Sequence, residues 1–218
     1  MFLSRVEINP YRRETMRALA SPQKIHAVVE ASFPPIENAV SERILWRIDT
    51  IGSAMYILVQ SSIRPDFTHL VEQFGWPSSE QKWDTVDMDN FLRSIKKGQI
   101  WRFRLRANPV RSLKDPGDRS RGKISAHVTV EQQREWLLSR VHKYGFSVIS
   151  FFGDHCVEVK QRDQNKFERK GDIVTVNAVT FEGVLAVEDE KLFTETIIKG
   201  IGRAKAYGCG LITVVSVR

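Results

Sequence analysis

The sequence predicts an α+β fold of two tandem ferredoxin-like domains, each an antiparallel sheet with helices on one face. In the first half of the chain, segments of strand-like alternation and helix-like periodicity follow one another in the order β-α-β-β-α-β, which is typical of this fold. A similar order, with one additional strand, recurs in the second half. The 218 residues and the hydrophobic fraction of 42% are sufficient for two small domains with separate cores.

The first domain is predicted to occupy residues 1–110. Four of its segments alternate apolar and polar side chains, as half-buried strands do: Phe2–Ile8, 44–48, 55–60 and Ile100–Ala107. Helices are predicted where a helix-start signal precedes apolar residues at helical spacing: residues 12–20, the segment after Ser21-Pro22 and the segment after Pro65-Asp66. A polar loop is predicted over residues 75–98.

The second domain is predicted to occupy residues 120–218, after a linker at 109–122 that is rich in Pro, Gly, Ser, Asp and Arg. Thr129 and Gln132 have the spacing of a capping box, which predicts the start of a helix. A second helix then leads through a glycine-rich loop to a closing strand at 211–217. The other predicted strands are 123–130, 146–152, 155–161 and 173–187.

The charge of the chain indicates an anionic partner, because the formal net charge is +7 and the pI is near 9.5. Residues 93–106 include six basic residues and no acidic one. Arg102, Arg104 and Arg106 alternate with apolar residues, so a strand places the three cations on one face. The alternative is a solvated face paired with carboxylates, but no acid lies within the run. RNA-recognition modules share this RRM-like layout, so nucleic acid is favoured.

A second basic cluster lies in the hairpin predicted between two strands of the second domain. Its cations are Lys160, Arg162, Lys166, Arg169 and Lys170, and four acidic residues are interleaved with them or flank them. Two interpretations remain open. The segment is either a solvated loop or a ribbon that lies against a nucleic-acid duplex.

The glycine-rich loop, residues 200–211, is a third candidate for contact with phosphate. It contains four glycines together with Arg203 and Lys205. Glycine lets a partner come close to the main chain, and backbone N–H groups beside cations suit a phosphate. Gly202 and Gly208 would shape the main chain around the two cations. The alternative is a helix C-cap followed by a tight turn; the spacing matches neither a P-loop nor a dinucleotide-binding fingerprint.

Few residues are candidates for catalysis. Two cysteines are too few for a disulfide framework or a zinc cluster, and the five histidines lack the spacing of metal ligands. His26 differs from the other histidines because it lies near a predicted helix start at the rim of the sheet, with Lys24 nearby. Imidazole titrates near neutral pH and can transfer a proton to or from an oxygen. The alternative is a structural histidine.

Short motifs are distributed along the whole chain in a specific combination. They are MFLSRVEI at 1–8, SPQKIH at 21–26, LWR at 45–47, LVQS at 58–61, WRFRLRANP at 101–109, VTFEGVL at 179–185 and GIGRAKAYGCGL at 200–211. In this combination the chain resembles the CasE family, the CRISPR RNA-processing endoribonucleases of type I-E systems within the RAMP superfamily.

The resemblance implies metal-independent cleavage of the repeat hairpin in a CRISPR precursor RNA, without a cofactor. A ribose 2′-OH would attack the adjacent phosphate and leave a 5′-OH and a 2′,3′-cyclic phosphate. The enzyme is expected to stay on its product as a subunit of a type I-E surveillance complex. The chain shows no signal peptide and no membrane-spanning run, so a cytoplasmic protein without a membrane partner is expected.

The resemblance also assigns roles to residues. The family's catalytic histidine corresponds to His26, as the general acid for the leaving 5′-oxygen or as a proton shuttle. Relatives can carry a tyrosine and an arginine where this chain has Gln23 and Ala27, so Lys24 is the candidate for stabilising the phosphorane charge. The expected RNA-binding residues are Arg102, Arg104, Arg106, Lys160, Arg162, Lys166, Arg169, Gly202, Arg203, Lys205 and Gly208. The main rival hypothesis is a non-catalytic subunit that binds hairpin RNA on the same scaffold; a metal-dependent nuclease is disfavoured.

Overall fold

The computed structural model describes residues 1–34, 44–76, 78, 83–113, 123–169 and 171–217, with only the backbone described at Leu113, Lys123 and Arg169. Within these ranges the chain forms two antiparallel sheets, each covered by helices on one face. The predicted α+β class and the tandem ferredoxin-like architecture are therefore confirmed.

The first sheet has the strand order β2-β3-β1-β4. Its strands are β1 (Phe2–Ile8), β2 (Leu45–Ile51), β3 (Ala54–Ser61) and β4 (Trp83–Asp87). Three helices accompany them: α1 (Arg13–Leu19), α2 (Pro22–Glu30) and α3 (Thr68–Phe74). Ile25 and Val29 of α2 and Leu70 of α3 pack with Val6 and Ile57 of the sheet, so the first core lies between the sheet and its helices.

The second sheet has the order β11-β12-β5-β13, with β8 paired to β12. Its strands are β5 (Ile100–Ala107), β8 (Phe146–Val148), β11 (Val157–Arg169), β12 (Asp172–Val187) and β13 (Ile212–Ser216). Trp136 of α5 (Val130–Leu138) and Phe193 of α6 (Glu190–Lys199) pack on Leu105 and Phe181, which forms the second core. When β8 is left out and the four remaining strands of each sheet are numbered along the chain, both sheets have the strand order 2-3-1-4. The two units therefore repeat one topology.

Short elements complete the second unit. The strands β6 (Val110–Leu113) and β7 (Lys123–Ala126) pair with each other, and β9 (Ser150–Phe151) pairs with β10 (Asp154–His155). A 3₁₀ turn at Val141–Tyr144 follows α5. Thr129 caps α5 through the predicted capping box, since its side chain accepts from the Gln132 N–H and the Gln132 side chain accepts from the Thr129 N–H.

The assignment of Ile100–Ala107 to the first domain was wrong. This strand, β5, pairs with β12 and β13 and is the first strand of the second sheet. The edge of the first sheet is β4, which pairs with β1 and comes from the segment predicted to be a polar loop. Alternation identified β5 as a strand but carries no information about its partners. The five residues of β4 are only partly buried, so their hydrophobic signal is weak.

The predicted linker at 109–122 was also wrong where it can be checked. Residues 110–113 form β6, which pairs with β7 inside the second unit, while residues 114–122 lie outside the described part of the chain. The strand predicted at 123–130 ends at Ala126. The domain ranges 1–110 and 120–218 stay a prediction about folding units, but the sheets themselves divide at α4 (Asp89–Ser94), between β4 and β5.

Arg47 joins the two units. Its side chain is 1% exposed, and its guanidinium donates to both Asp49 carboxylate oxygens at 2.8 and 2.7 Å. The same group donates to the carbonyls of Arg104 and Leu211, each at 3.0 Å, and to the Thr213 hydroxyl at 2.9 Å. One buried side chain of β2 therefore holds the backbones of β5 and of the residue before β13.

Candidate active site and nucleic-acid interface

A cleft of about 610 Å³ lies between the two units. We call it the interdomain cleft. The first unit contributes Pro22 and Ile25 of α2 and Trp46 of β2, and the second contributes Lys160 of β11 and Tyr207 of the glycine-rich loop. A 3₁₀ turn in that loop, Lys205–Tyr207, packs against α2. The cleft therefore brings together two regions that lie near opposite ends of the sequence.

His26 lies on α2 beside this cleft. It follows Ile25 directly and lies one turn after Pro22, and both of these residues line the cleft. The His26 side chain is 23% exposed, and its Nε2 lies 3.2 Å from Glu30 Oε1, one turn further along the helix. Pro22 occupies the first turn, as predicted, and Ser21 is the N-cap residue by position without a side-chain capping bond. The His26 side chain is therefore partly exposed next to residues that line the cleft, and a carboxylate lies within ion-pair distance of it.

Lys24 is exposed on α2. Residues two apart on a helix do not face each other, and at 3.6 residues per turn Lys24 points about 160° away from His26 around the axis. His26 and Pro22 lie on one side of α2, so Lys24 projects away from the cleft. This placement gives Lys24 poor access to a phosphate that His26 contacts.

Lys160 lies at an irregularity of the long β11–β12 hairpin. The pairing register shifts between Val159 and Gln161, so Lys160 is the additional residue of a β-bulge. Bulges change the direction of a side chain and occur frequently next to functional sites. Lys160 forms an ion pair with Glu158, whose hydrogen bond raises the pKa of Lys160 above its usual value. The bulge brings a cation to the interdomain cleft.

Two of the three arginines on β5 are paired with carboxylates, contrary to the prediction of a free phosphate-binding stripe. Arg104 Nε donates to Glu182 of β12 at 2.6 Å, and Arg106 donates to Asp163 of β11 at 2.7 Å. Arg104 also lies 3.5 Å from Asp49, across the unit boundary. These acids come from two other strands of the same sheet, so the lack of acids within the run did not exclude pairing. Arg102 is exposed.

The cations of the β11–β12 hairpin are placed differently from one another. The Arg162 guanidinium donates to the carbonyl of Val128, just before α5, on the helix side of the second unit. Lys166 is exposed further along β11. The side chain of Arg169 and the whole of Lys170 lie outside the described structure. Lys160 and Arg162 both line the interdomain cleft, although the Arg162 guanidinium is held by the Val128 carbonyl.

The glycine-rich loop packs at the boundary between the units. An added Cβ at Gly200 would lie 2.7 Å from Leu45 Cδ1, and one at Gly208 would lie 2.7 Å from Trp46 Cζ3. Both glycines have positive φ, 70° and 75°. The loop therefore packs closely on β2, across the boundary between the units.

The two cations of the loop have different surroundings. The Lys205 ammonium donates to the carbonyls of Lys199 and Gly200, at 2.6 and 2.9 Å, and so caps the C-terminal end of α6. Arg203 is exposed. Of the two, Arg203 is the better placed for an external anion.

Comparison with known proteins shows the family of this chain. The model of a family described as CRISPR associated protein matches residues 1–215. The CRISPR-associated endoribonuclease Cse3 of Thermus thermophilus is 30% identical over 98% of this chain and 99% of its own length. The chain belongs to the CasE family of CRISPR-associated proteins.

Two further proteins similar to this chain are an RNA-bound endoribonuclease and a subunit of a CRISPR complex. A solved structure of a CRISPR endoribonuclease Cse3 bound to a 19-nucleotide RNA has a TM-score of 0.81 with this chain, at 30% identity, and the match covers 99% of this chain and 100% of that one. The CRISPR system Cascade subunit CasE of Escherichia coli is 31% identical over 51% of this chain and 56% of its own.

Two features of the site in this CasE-family chain were missed in the sequence analysis: the Glu30 partner of His26 and the buried pair Arg47–Asp49. Glu30 has the i, i+4 spacing from His26 that predicts a contact, so this partner was available from the sequence. The Arg47–Asp49 pair was not, because its other partners are backbone carbonyls far along the chain. Burial raises the pKa of Cys209 to about 12, so this thiol is inert at neutral pH.

Two general features bear on how a CasE-family protein could work. Within the described ranges, no three His, Cys, Asp or Glu side chains are grouped closely enough to hold a metal ion. Across the same residues, no helix combines the length and apolar character needed to cross a bilayer.

Replacing Gly208 by alanine is expected to destabilise this CasE-family fold by about 2–4 kcal/mol, because a strained backbone conformation and a clash with the Trp46 ring act together. Gly52→Ala is the matched control, since Gly52 also has positive φ, 62°, but an added Cβ there meets nothing within 4 Å. The control should lose about 1–2 kcal/mol, from strain alone. Urea unfolding of both variants measures the difference. Equal losses would contradict the packing role of Gly208.

Proposed function

We propose that this protein is a site-specific endoribonuclease that cuts the repeat hairpin of a CRISPR precursor RNA in the cytoplasm and is retained as a subunit of a surveillance complex. The observation that carries the proposal is the full-length likeness to the endoribonuclease Cse3, at 30% identity over 98% of this chain. The placement of His26 beside a cleft that also contains Lys160 supports it. The assignment of a surveillance complex rests on the similarity to the Cascade subunit CasE over about half of the chain.

The proposed chemistry is an internal transesterification. The ribose 2′-oxygen forms a bond to the adjacent phosphorus, and the bond from phosphorus to the 5′-oxygen breaks. The 2′-OH proton leaves to a base or to water, and His26 donates a proton to the departing 5′-oxygen. Glu30 lies against the His26 Nε2 and holds the imidazole in place. Alignment of the 2′-oxygen for in-line attack, by the walls of the interdomain cleft, supplies much of the remaining acceleration.

The negative charge that builds up on the phosphate requires a cation. Lys24 was the candidate from the sequence, but it projects away from His26 on α2. Lys160 lines the same cleft as the neighbours of His26, so we infer that Lys160 is the better candidate. The hydrogen bond from Glu158 raises the pKa of Lys160, so this contact does not cost the ammonium its charge.

Cleavage of a repeat hairpin RNA by the purified protein is expected to proceed in EDTA and to stop when the scissile nucleotide carries a 2′-deoxy ribose. The nucleophile is the 2′-oxygen and the proton donor is a side chain, so neither requires a divalent cation. Denaturing electrophoresis of end-labelled RNA measures cleavage of the unmodified and the 2′-deoxy hairpin. Mass spectrometry of the products checks for the 5′-OH and the cyclic phosphate. Intact RNA in the unmodified sample would exclude the enzyme hypothesis, and cutting of the deoxy substrate would exclude the 2′-OH mechanism.

The second candidate function is a non-catalytic subunit that binds hairpin RNA. Gln23 and Ala27, at positions where relatives can carry tyrosine and arginine, favour this alternative. Tight binding of the hairpin without any cleavage, in the presence or absence of divalent ions, would support it over the endoribonuclease proposal.

A further inference from the structure

A basin of about 790 Å³ lies on the helix side of the second unit, and none of its described lining residues lines the interdomain cleft. We call it the basic basin. Its walls are β6, α5, α6 and the glycine-rich loop. Among its described lining residues, Glu195 is the only carboxylate. Six cations line it: Arg111, Arg140, Lys143, Lys199, Arg203 and Lys205.

Half of these cations are already engaged. Lys199 pairs with Glu195 at 2.8 Å, and the Lys205 ammonium is held by backbone carbonyls. Arg140 donates to the carbonyl of Trp136 at 2.8 Å and lies over its ring. The other three are exposed and form no ion pair with any residue that the structure describes: Arg111, Lys143 and Arg203. The basin therefore presents three uncompensated charges to solvent, whereas Arg104 and Arg106 of the sheet are neutralised.

The positive charge of the basin affects the pKa of the nearby His127. Burial, followed by the charges of Arg111 and Arg140, lowers the pKa of His127 below its usual value. Repulsion of a second positive charge at His127 is consistent with a positive potential on this side of the unit. An anion bound in the basin would offset that potential.

The floor of the basin adds a neutral hydrogen-bonding group. Asn108 lines the basin, is 8% exposed, and its Oδ1 has no hydrogen-bond partner within the described structure. A buried acceptor without a partner costs free energy, which a donor from a ligand would recover. A ribose 2′-OH is such a donor and distinguishes RNA from DNA. Gly202 keeps the loop close to this floor, since an added Cβ there would lie 3.3 Å from the Trp136 ring.

We propose that the basic basin binds the phosphate backbone of the RNA hairpin at a site separate from the point of cleavage. This inference rests on the proposed function. The three uncompensated cations would contact successive phosphates, and Asn108 would accept from a ribose hydroxyl. Exposed cations at the rim of the basin can each contact a different phosphate, because an RNA backbone carries one negative charge per nucleotide. The basin then positions the RNA while the interdomain cleft holds the reacting phosphate.

The test removes the three exposed cations together, in the variant Arg111→Gln/Lys143→Gln/Arg203→Gln. None of the three forms an ion pair within the described structure, so the fold should be retained, and thermal unfolding checks this. The control variant, Arg13→Gln/Arg64→Gln/Lys97→Gln, removes the same charge from exposed positions that line neither the basin nor the interdomain cleft. The probe is a repeat hairpin RNA with a 2′-deoxy scissile nucleotide, titrated at several salt concentrations.

We expect the basin variant to bind the hairpin at least about tenfold more weakly than the control. The slope of log affinity against log salt should decrease by about one for each phosphate that the variant no longer binds. At subsaturating enzyme the cleavage rate should decrease together with the affinity, because the basin acts on binding and does not contact the reacting atoms. Equal affinity and equal salt slope in the two variants would overturn the proposal and leave the basin to an acidic protein partner. If the wild-type protein neither binds nor cuts the hairpin, the proposed function fails instead.

Discussion

Replacing His26 by alanine is expected to reduce the rate of RNA cleavage by about 10²–10⁴-fold, the range that general acid catalysis contributes, and to leave the affinity for the hairpin almost unchanged. His26 is a single side chain, 23% exposed, beside the interdomain cleft, whereas the uncompensated cations that would bind the phosphate backbone lie in the basic basin. Loss of the imidazole removes the proton donor for the 5′-oxygen. It removes few of the contacts that hold the RNA.

Two measurements separate chemistry from binding. Single-turnover cleavage at saturating enzyme gives the rate of the chemical step, and filter binding of the 2′-deoxy hairpin gives the dissociation constant. His142→Ala is the matched control, because His142 is an exposed histidine of the second unit that lines neither the interdomain cleft nor the basic basin. Undiminished cutting by the His26 variant would remove His26 from the active site. A parallel loss of binding would make it a binding residue.

Replacing Arg47 by methionine is expected to lower the free energy of unfolding by about 3–5 kcal/mol, which is typical when one partner of a buried ion pair is removed. The change leaves the Asp49 carboxylate, 7% exposed, without its bidentate partner, and it leaves two carbonyls of the second unit without a donor. Burial lowers the pKa of Arg47, and the Asp49 contact opposes that effect. Arg104 lies 3.5 Å from Asp49 and still offsets part of the buried carboxylate charge in the variant. We therefore expect a loss of stability near ~3 kcal/mol, the lower end of that range.

Urea unfolding of the variant measures this loss. Arg5→Met is the control, because the Arg5–Asp84 pair is similar in chemistry, but its side chains are 49% and 36% exposed, and exposed pairs contribute about 0–1 kcal/mol. The double variant Arg47→Met/Asp49→Leu should recover part of the stability, since it removes both buried charges. A loss at Arg47 no larger than that at Arg5 would show that the joint between the units does not depend on this pair.

The sequence predicted most strands and helices but not their partners. The alternation of β5 identified a strand, and the capping box at Thr129 identified the start of α5. Periodicity is a local property that a strand shows in either sheet, so β5 was assigned to the first unit. The segment of β4 was missed because a partly buried edge strand needs few apolar residues.

In the candidate site, too, local sequence signals were predictive, whereas contacts between distant residues were not. His26 was found from its position after a helix start and from a family resemblance, both of which depend on local sequence. The pairing of Arg104 with Glu182, and of Arg106 with Asp163, was not predictable because these residues are 78 and 57 positions apart. The three uncompensated cations lie instead in the basic basin, where β6, α6 and the glycine-rich loop meet only in the folded chain.

The sequence by itself determined the α+β class, the presence of two similar units, the family and the choice of His26 as the catalytic candidate. Hydrophobic periodicity, capping residues and short motifs are local, so the chain carries them before it folds. The tertiary structure alone decided which cations are paired with carboxylates, that Arg47 joins the two units and that Lys160 lies at a bulge. Charge pairing and burial depend on residues that are distant in sequence and close in space, and their energies exist only once the sheets have formed.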